Sequence, residues 1–381
     1  MKFLLEAPTK LASLALLLLL LASCPSSVRE WREPDPHPLL TGPYVIVTGP
    51  EQALVAFRTY SVQKATIEWK TSSGASGIET AARDGDLCEA TLKKLPRGPE
   101  ITYDVKLDGK AVTSGSFRIS AQDETSFRFA VFGDTRTNHQ VHRALIERVA
   151  NEKIDFFLHT GDMVERGGIA DQWITYFQIE RPLMKKAPIM PAIGNHDLGN
   201  RGYYTRFFFL DKWVGGRSFF YTDWGNVRFV SMDVTIICER RCRQYRFVQA
   251  ALAEAAKANK LIVMFMHNPP YSSGEHGSDL QLREVVGELA KRYGVELVIT
   301  GHDHDYERTK SIAGTTYIVS GSAGAPIRPV TPQAFTESAR TEPHYVLVDV
   351  DRDRLSLRAI NLRGEVFDNA VVPANPPGGR P

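Results

Sequence analysis

Hydrophobic patterning divides the chain into two parts with different periodicity. Between residues 42 and 120 the apolar residues come in short, partly alternating segments such as ALVAFRT, ATIEWKT and ITYDVKL, separated by turn residues. Alternation with a period of two is typical of strands with one buried face, and a series of such strands predicts a small all-β sandwich. The LDGK sequence at 107–110 predicts a hairpin turn, and Tyr103 lies where a sandwich domain carries a tyrosine corner.

A polar connector, AQDETS at 121–126, precedes a change of pattern. From 127 to 372 apolar strands such as FRFAVF, DFFLH and LIVMFMH alternate with segments of helical spacing such as VHRALIERV. Strands that alternate with helices predict an α/β domain in which helices flank the sheets. The expected fold is therefore a layered α/β sandwich preceded by a small all-β sandwich.

The N-terminal segment has the pattern of an export signal. Two lysines precede an apolar run from Leu11 to Leu21, which is shorter than the roughly 20 residues that span a bilayer. The run ends in LASC, which resembles the lipobox of bacterial lipoproteins. That resemblance implies cleavage after residue 23, a lipid anchor on Cys24 and a place in the bacterial cell envelope, periplasmic or at the outer surface. The alternative is an ordinary signal peptide cut near Ala22. Residues 24–41, rich in proline and charge, are expected to be a tether.

Charge and cysteine content narrow the functional classes. The net charge is +2 and the basic residues are scattered, so no nucleic-acid binding is expected. Cys238 and Cys242 in CERRC predict a local disulfide in an oxidising compartment. Cys88 is expected to be a small buried side chain.

Ligand-type residues follow the predicted strands of the α/β part at five places. They are Asp134 in FGDTR, Asp162 in TGDMVE, Asn195 and His196 in GNHD, His267 in FMHNPP, and His302 and His304 in GHDHDYER. The carboxyl ends of parallel strands meet at one edge of a sheet, so these side chains are expected to converge. Carboxylate, imidazole and amide groups suit manganese, iron or zinc, and a pair of such ions promotes phosphoryl transfer to water.

The order of these motifs resembles that of the calcineurin-like metallophosphoesterase superfamily. GHDHDYER and the β-sandwich in front resemble the purple acid phosphatase branch, whose leading domain is fibronectin type III-like. The resemblance covers roughly 42–370, and it implies two metal ions held by six residues. It gives Asp162 as the bridging ligand, Asp134 and His304 on the first metal, and Asn195, His267 and His302 on the second.

The same resemblance implies roles beside the metals. His196 would contact phosphate or protonate the leaving group, with Asp197 orienting it. His276 would face the substrate, unless it is an ordinary histidine of a surface loop. Tyr306, Glu307 and Arg308 are expected to be structural.

Two positions depart from the family pattern. The tyrosine that binds ferric iron in the phosphatase branch is replaced by Glu165, and the histidine of a DxH motif found elsewhere in the superfamily is replaced by Arg136. Glu165 could therefore be a ligand, be replaced there by water, or be a surface residue. Arg136 could hold a phosphate oxygen or pair with a nearby carboxylate. We expect no tyrosinate-to-iron absorption band, and the metal can be iron, manganese or zinc.

The resulting hypothesis is a metal-dependent phosphoric ester hydrolase acting on a small phosphorylated molecule, with monoesters as the first choice. Hydrolysis of phosphodiesters or nucleotides by the same site is the alternative. A surface binding protein with an inactive catalytic domain is the hypothesis from a different class.

Overall fold

The structure is a computed structural model that describes residues 37–60, 64–236 and 242–375. The predicted signal peptide, Cys24 and most of the predicted tether lie outside the described residues. Among the helices of the described part, none is long and apolar enough to cross a membrane.

The first part of the fold consists of strands alone. These are β1 (Thr41–Gly49), β2 (Gln52–Arg58), β3 (Ala65–Thr71), β4 (Ser76–Thr80), β5 (Ala82–Asp84), β6 (Leu87–Lys93), β7 (Ile101–Leu107) and β8 (Lys110–Phe117). They form two antiparallel four-stranded sheets, in the orders β1-β2-β6-β5 and β4-β3-β7-β8. The predicted hairpin joins β7 to β8, and Asp108 and Gly109 both take positive φ in its two-residue turn (47° and 84°).

The tyrosine-corner interpretation of Tyr103 is wrong. Its hydroxyl donates to the backbone oxygen of Lys185, in the α/β part, at 3.3 Å rather than to the sandwich itself. A Cβ on Gly115, in the neighbouring strand, would lie 2.2 Å from that same oxygen. The glycine therefore allows the backbone of the α/β part to approach this face of the sandwich.

The second part of the fold mixes strands and helices. Its strands are β9 (Phe127–Phe132), β10 (Phe156–His159), β11 (Ile189–Pro191), β12 (Phe220–Trp224), β13 (Val227–Ser231), β14 (Leu261–Phe265), β15 (Leu297–Thr300), β16 (Tyr306–Thr309), β17 (Thr316–Ser320), β18 (Thr336–Arg340), β19 (His344–Asp351), β20 (Arg354–Asn361) and β21 (Val366–Pro373). Its helices are α1 (His139–Val149), α2 (Ala170–Met184), α3 (Arg201–Phe207), α4 (Arg243–Lys257) and α5 (Leu280–Tyr293), with short 3₁₀ helices at His196–Asn200 and Leu210–Lys212.

The strands of this part form two sheets. A six-stranded sheet has the order β11-β10-β9-β19-β20-β21, and a seven-stranded sheet has the order β12-β13-β14-β15-β17-β16-β18. Strands β9 to β11 pair in parallel, as do β13, β14, β15 and β17. The predicted fold class, α/β layers preceded by an all-β region, is confirmed.

Aromatic rings fill the space between the two large sheets. Phe129 and Phe156 of the first sheet stack with centroids 5.2 Å apart, and Phe229 of the second sheet meets Phe156 edge-on at 5.2 Å. Helices α4 and α5 cover the outer face of the second sheet through Val248, Leu289 and their neighbours. Because both faces of the central strands are covered, their sequences are continuous apolar runs rather than alternating ones.

The β-sandwich packs directly on the α/β part. The Tyr44 hydroxyl donates to the backbone oxygen of Phe207 at 2.7 Å, and the Tyr44 ring stacks on Phe177 of α2 at 4.8 Å. Arg181 of α2 donates to the backbone oxygens of Leu39 and Gly42. Leu39 is buried, so the last residues of the predicted tether belong to the folded part.

Candidate metal centre

The strand ends place the candidate ligands at one edge of the two sheets. Asp134 follows β9, Asp162 follows β10, and His302 follows β15; each takes a left-handed backbone conformation, with φ of 56°, 54° and 71°. Non-glycine residues adopt this conformation at a cost, and such strain concentrates at functional sites.

Glycines let the ligand loops approach one another. A Cβ on Gly194 would lie 2.2 Å from Asp162 Oδ1, and a Cβ on Gly301 would lie 2.4 Å from Asp134 Oδ2. Both distances are far shorter than atomic contact allows. The glycine before Asn195 and the glycine before His302 are therefore required by packing around the two carboxylates.

Three ligand atoms surround Nε2 of the His267 ring. His267 Nε2 lies 3.4 Å from Asp162 Oδ1, 3.1 Å from Asn195 Oδ1 and 3.3 Å from His302 Nδ1. His267 Nδ1 donates to the backbone oxygen of Thr160 at 2.9 Å, which fixes the ring and turns Nε2 towards the other ligands. These are the residues assigned to the second metal, together with the expected bridging carboxylate.

The residues assigned to the first metal adjoin this group. His304 Nε2 lies 3.6 Å from Asp134 Oδ1, and His304 Nδ1 donates to the backbone oxygen of Pro326 at 2.7 Å. Asp134 Oδ2 accepts the backbone N–H of His302 at 3.0 Å. Asp134 Oδ1 is buried and has no hydrogen-bond partner in the described part of the chain. The structure thus brings all six candidate ligands together.

The arrangement fits a metal ion. Ligand atoms of Asp134, Asp162 and His267 all lie within 4.8 Å of one another and are buried. A buried carboxylate oxygen without a hydrogen-bond donor is costly unless a cation neutralises it. His267 and His304 each donate a hydrogen bond from Nδ1 to a backbone oxygen, which leaves Nε2 facing the other ligands. This is the usual orientation of metal-ligating histidines.

Electrostatics favour positive charge between the two carboxylates. Although burial opposes it, the charges of Asp162 and Asp134 raise the pKa of His267 to about 10. Burial, followed by the charge on His267, lowers the pKa of His302 to about 3. Burial also opposes ionisation of Asp162, but His267 holds the pKa of this carboxyl below its usual range. The pocket therefore stabilises a cation at its centre.

The family comparison agrees with this geometry. Residues 127–306 match the family model described as calcineurin-like phosphoesterase.

This part of the chain is therefore similar to the calcineurin-like phosphoesterases.

Several of the similar proteins, and one of the similar solved structures, are described as purple acid phosphatases. Probable purple acid phosphatase 20 of Arabidopsis thaliana is 24% identical over 316 residues, covering 74% of this chain and 73% of the relative. Probable inactive purple acid phosphatase 1 of the same plant is 25% identical over 259 residues, which is 57% of this chain but only 41% of the relative. The structure of purple acid phosphatase PPD1 from yellow lupin (Lupinus luteus) seeds has a TM-score of 0.76 at 19% identity, covering 87% of this chain and 74% of that one. This structural similarity establishes a shared fold.

Asp197 makes different contacts from the ones expected. Its carboxylate accepts four backbone N–H groups, from Asp162 and Gly194 on one oxygen and from Met163 and Val164 on the other. It does not orient the His196 ring, whose Nδ1 donates instead to the backbone oxygen of Glu165 at 2.8 Å. Asp197 is therefore a positioning residue for the loop that carries Asp162.

Arg136 pairs with carboxylates. Its Nη1 donates to Glu165 Oε2 at 2.5 Å, and its Nε lies 3.3 Å from Asp162 Oδ2. The pairing corresponds to the second of the two roles expected for Arg136. It also shows that Glu165, on the rim of the pocket, is engaged by a guanidinium.

His276 lies at the edge of the candidate metal centre. Its ring stacks on His302 with centroids 4.4 Å apart, while the residue as a whole is exposed. Arg328 donates to His276 Nε2, and Arg328 was missed by the sequence reasoning. The glycine-rich GSAGAPIRP segment after β17 is the signal that could have pointed to it, because such loops approach ligands closely.

The YER triplet has structural contacts, as expected. The Tyr306 hydroxyl and the Arg308 guanidinium both donate to the Asp368 carboxylate, and Glu307 accepts from the backbone N–H and hydroxyl of Ser273.

The structure places two of the cysteines. Cys242 is disulfide-bonded and Cys88 is free and buried, whereas Cys238 lies outside the described residues.

Proposed function

We propose that this chain is a metal-dependent phosphoesterase that hydrolyses phosphate monoesters of small molecules. The observation that carries the proposal is the convergence of Asp134, Asp162, Asn195, His267, His302 and His304 within the phosphoesterase domain. Purple acid phosphatase relatives and the similar lupin structure support the choice of monoesters. Iron, manganese and zinc all suit this mixture of ligands.

A bound metal ion neutralises charge on a phosphoryl group and makes water a better nucleophile. The protein holds the ligands rigidly through backbone contacts, so little reorganisation is needed when charge develops on the substrate. His196 is partly exposed, with 28% of its side chain accessible, and its Nε2 lies 3.9 Å from Asp162 Oδ2. Because Nδ1 donates to Glu165, Nε2 is available to hold the proton that the leaving oxygen takes up.

The rim of the pocket supplies donors for the rest of the phosphate. Arg328 and His276 contact each other beside His302, and Arg328 has about a quarter of its side chain exposed (26%). A guanidinium beside an imidazole suits a phosphate monoester, which carries up to two negative charges. In our proposal the substrate phosphate therefore enters between this rim and the metal ligands.

Export and membrane attachment belong to the same proposal. A lipid on Cys24 would tether the enzyme in the bacterial cell envelope, where a phosphatase meets extracytoplasmic phosphorylated small molecules. Replacing Cys24 with alanine is then expected to move the protein from the membrane fraction to the soluble fraction. Retention of the variant in the membrane fraction would contradict this part of the proposal.

The test compares metal-depleted protein with protein supplied with Mn²⁺, Zn²⁺ or Fe²⁺. A chromogenic monoester and its diester are assayed with the wild type, with Asp162→Ala, and with Asp353→Ala as the control, since Asp353 is an exposed surface carboxylate. We expect metal-dependent hydrolysis with a higher kcat/KM for the monoester, lost only in Asp162→Ala.

Two results would overturn the proposal. Faster hydrolysis of the diester by the wild type would move the substrate class to phosphodiesters. Metal-dependent activity in Asp162→Ala at the level of the wild type would exclude this site as the catalytic centre.

A further inference from the structure

The guanidinium of Arg136 lies inside the ligand cluster. Its Nη2 is 3.4 Å from His304 Nε2 and its Nε is 3.3 Å from Asp162 Oδ2. The family resemblance assigns His304 to the first metal and makes Asp162 the bridging ligand. The Arg136 side chain is only 9% exposed, so it belongs to the interior of the site and not to its rim.

The Asp162 carboxylate separates two different halves of the site. Its Oδ1 faces His267 Nε2 at 3.4 Å, within the group that includes Asn195 and His302. Its Oδ2 faces the Arg136 guanidinium. One half therefore presents ligand atoms alone, whereas the other already contains a permanent cation, since arginine does not lose its proton in proteins.

Two contacts hold the guanidinium in this position. Glu165 Oε2 accepts from Arg136 Nη1 at 2.5 Å and from the Thr137 hydroxyl at 2.8 Å. The Glu165 carboxylate thus binds the end of the guanidinium that faces away from His304. The guanidinium already contacts Asp162 Oδ2 and His304 Nε2, so a metal ion coordinated by both atoms would have to occupy the same space. The positive charge of the guanidinium would also repel that ion.

We propose that Arg136 replaces the first metal ion, so that the chain binds one divalent transition-metal ion, on the side of Asp162 that faces His267. This inference rests on the proposed function for the presence of a metal, and it replaces the expectation of two ions. The guanidinium supplies the fixed positive charge that a second ion would otherwise bring to the phosphate oxygens. Glu165 is then the residue that positions Arg136, and it is not a metal ligand.

The experiment measures metal stoichiometry without reference to activity. Metal-depleted protein is incubated with excess Mn²⁺, passed through a desalting column, and analysed for manganese per chain and by electron paramagnetic resonance. The variants are Arg136→Ala, Glu165→Gln and the control Arg354→Ala, in which an exposed arginine paired with Asp351 and Asp353 is removed.

The wild type and Arg354→Ala are expected to hold one manganese per chain with the signal of an isolated ion. Arg136→Ala is expected to hold two, with the signal of an exchange-coupled pair, because Asp162 Oδ2 and His304 Nε2 become available to the second ion. Glu165→Gln, which weakens the anchor but keeps the guanidinium, is expected to bind the second ion only at higher manganese concentrations.

The possible failures are distinguishable. Two ions in the wild type would overturn the inference and leave the proposed function intact. No ion in the wild type would overturn the proposed function and, with it, the inference. A single ion in a folded Arg136→Ala, as judged by circular dichroism, would show that the arginine is not what excludes the second ion. If Arg136→Ala does not fold, the wild-type count and the Glu165→Gln titration decide the question.

Discussion

Removal of the Asp197 carboxylate is expected to destabilise the protein and to weaken metal binding. Its two oxygens accept four backbone N–H groups, three of them at 2.9 Å, and the side chain is fully buried. A buried hydrogen bond contributes about 1 kcal/mol net, and more is lost when a donor stays unsatisfied. Asp197→Ala should therefore lower the free energy of unfolding by about 4 kcal/mol or more. Asp197→Asn keeps one accepting oxygen and should lose about half as much.

Urea unfolding in the presence of a chelator measures the stability of the metal-free protein. A titration of each folded variant with Mn²⁺ then measures its metal affinity. Burial and the nearby charge of Asp162 raise the pKa of Asp197 to about 7, so the measurement belongs at pH 8, where the wild-type carboxylate is mostly ionised. His196→Ala is the control, because its ring contacts the same loop from a partly exposed position. It is expected to leave stability within about 1 kcal/mol of the wild type, as surface substitutions do.

The result that would refute this reasoning is specific. If Asp197→Asn matches the wild type in stability and in manganese affinity, and loses activity alone, then Asp197 acts on the His196 ring and not on the loop. An ordering in which Asp197→Asn is less stable than Asp197→Ala would also contradict the count of donors.

Three further outcomes are expected. Gly194→Ala retains every ligand, but its new Cβ would lie 2.2 Å from Asp162 Oδ1. The variant should therefore bind Mn²⁺ at least tenfold more weakly in a calorimetric titration. Unchanged affinity would mean that the loop can move to accommodate the methyl group without displacing Asp162. Burial lowers the pKa of His344 to about 4, so the unfolded chain takes up a proton at a higher pH than the folded chain does. The wild type should therefore lose about 3 kcal/mol of stability as the pH falls from 6.5 to 4. In His344→Gln this loss of stability should be smaller. Parallel pH curves for this variant and the wild type would contradict that assignment. Arg308→Ala breaks a two-bond contact with Asp368 and should lower the midpoint of thermal unfolding while leaving KM unchanged, and a raised KM would place Arg308 at the substrate instead.

The candidate ligands were predictable from the sequence because each lies within four residues of the end of an apolar strand. The apolar runs predict the strands. Because the carboxyl ends of parallel strands meet at one edge of a sheet, the convergence of Asp134, Asp162 and His302 can then be predicted as well. The departures at Arg136 and Glu165 were visible as well, since both occupy motif positions.

Cross-loop contacts were not predictable in the same way. Tyr103 finds its acceptor 82 residues further along the chain, and the Arg136–Glu165 pair spans 29 residues. The position of Arg328 beside His276, 52 residues away, likewise follows from how two loops pack. Periodicity reports which face of an element is buried, and it carries no information about which distant backbone group lies opposite a given side chain.

The contacts of Tyr44, Tyr103 and Arg181 across the boundary between the sandwich and the α/β part have a mechanical consequence. These side chains hold helix α2, the turn that follows it and the end of α3 against the sandwich at several separate points. A hinge at the connector would have to break all of them at once, so the two parts are expected to tumble and unfold together. The outer face of the sandwich is consequently expected to stay at a constant distance from the candidate metal centre.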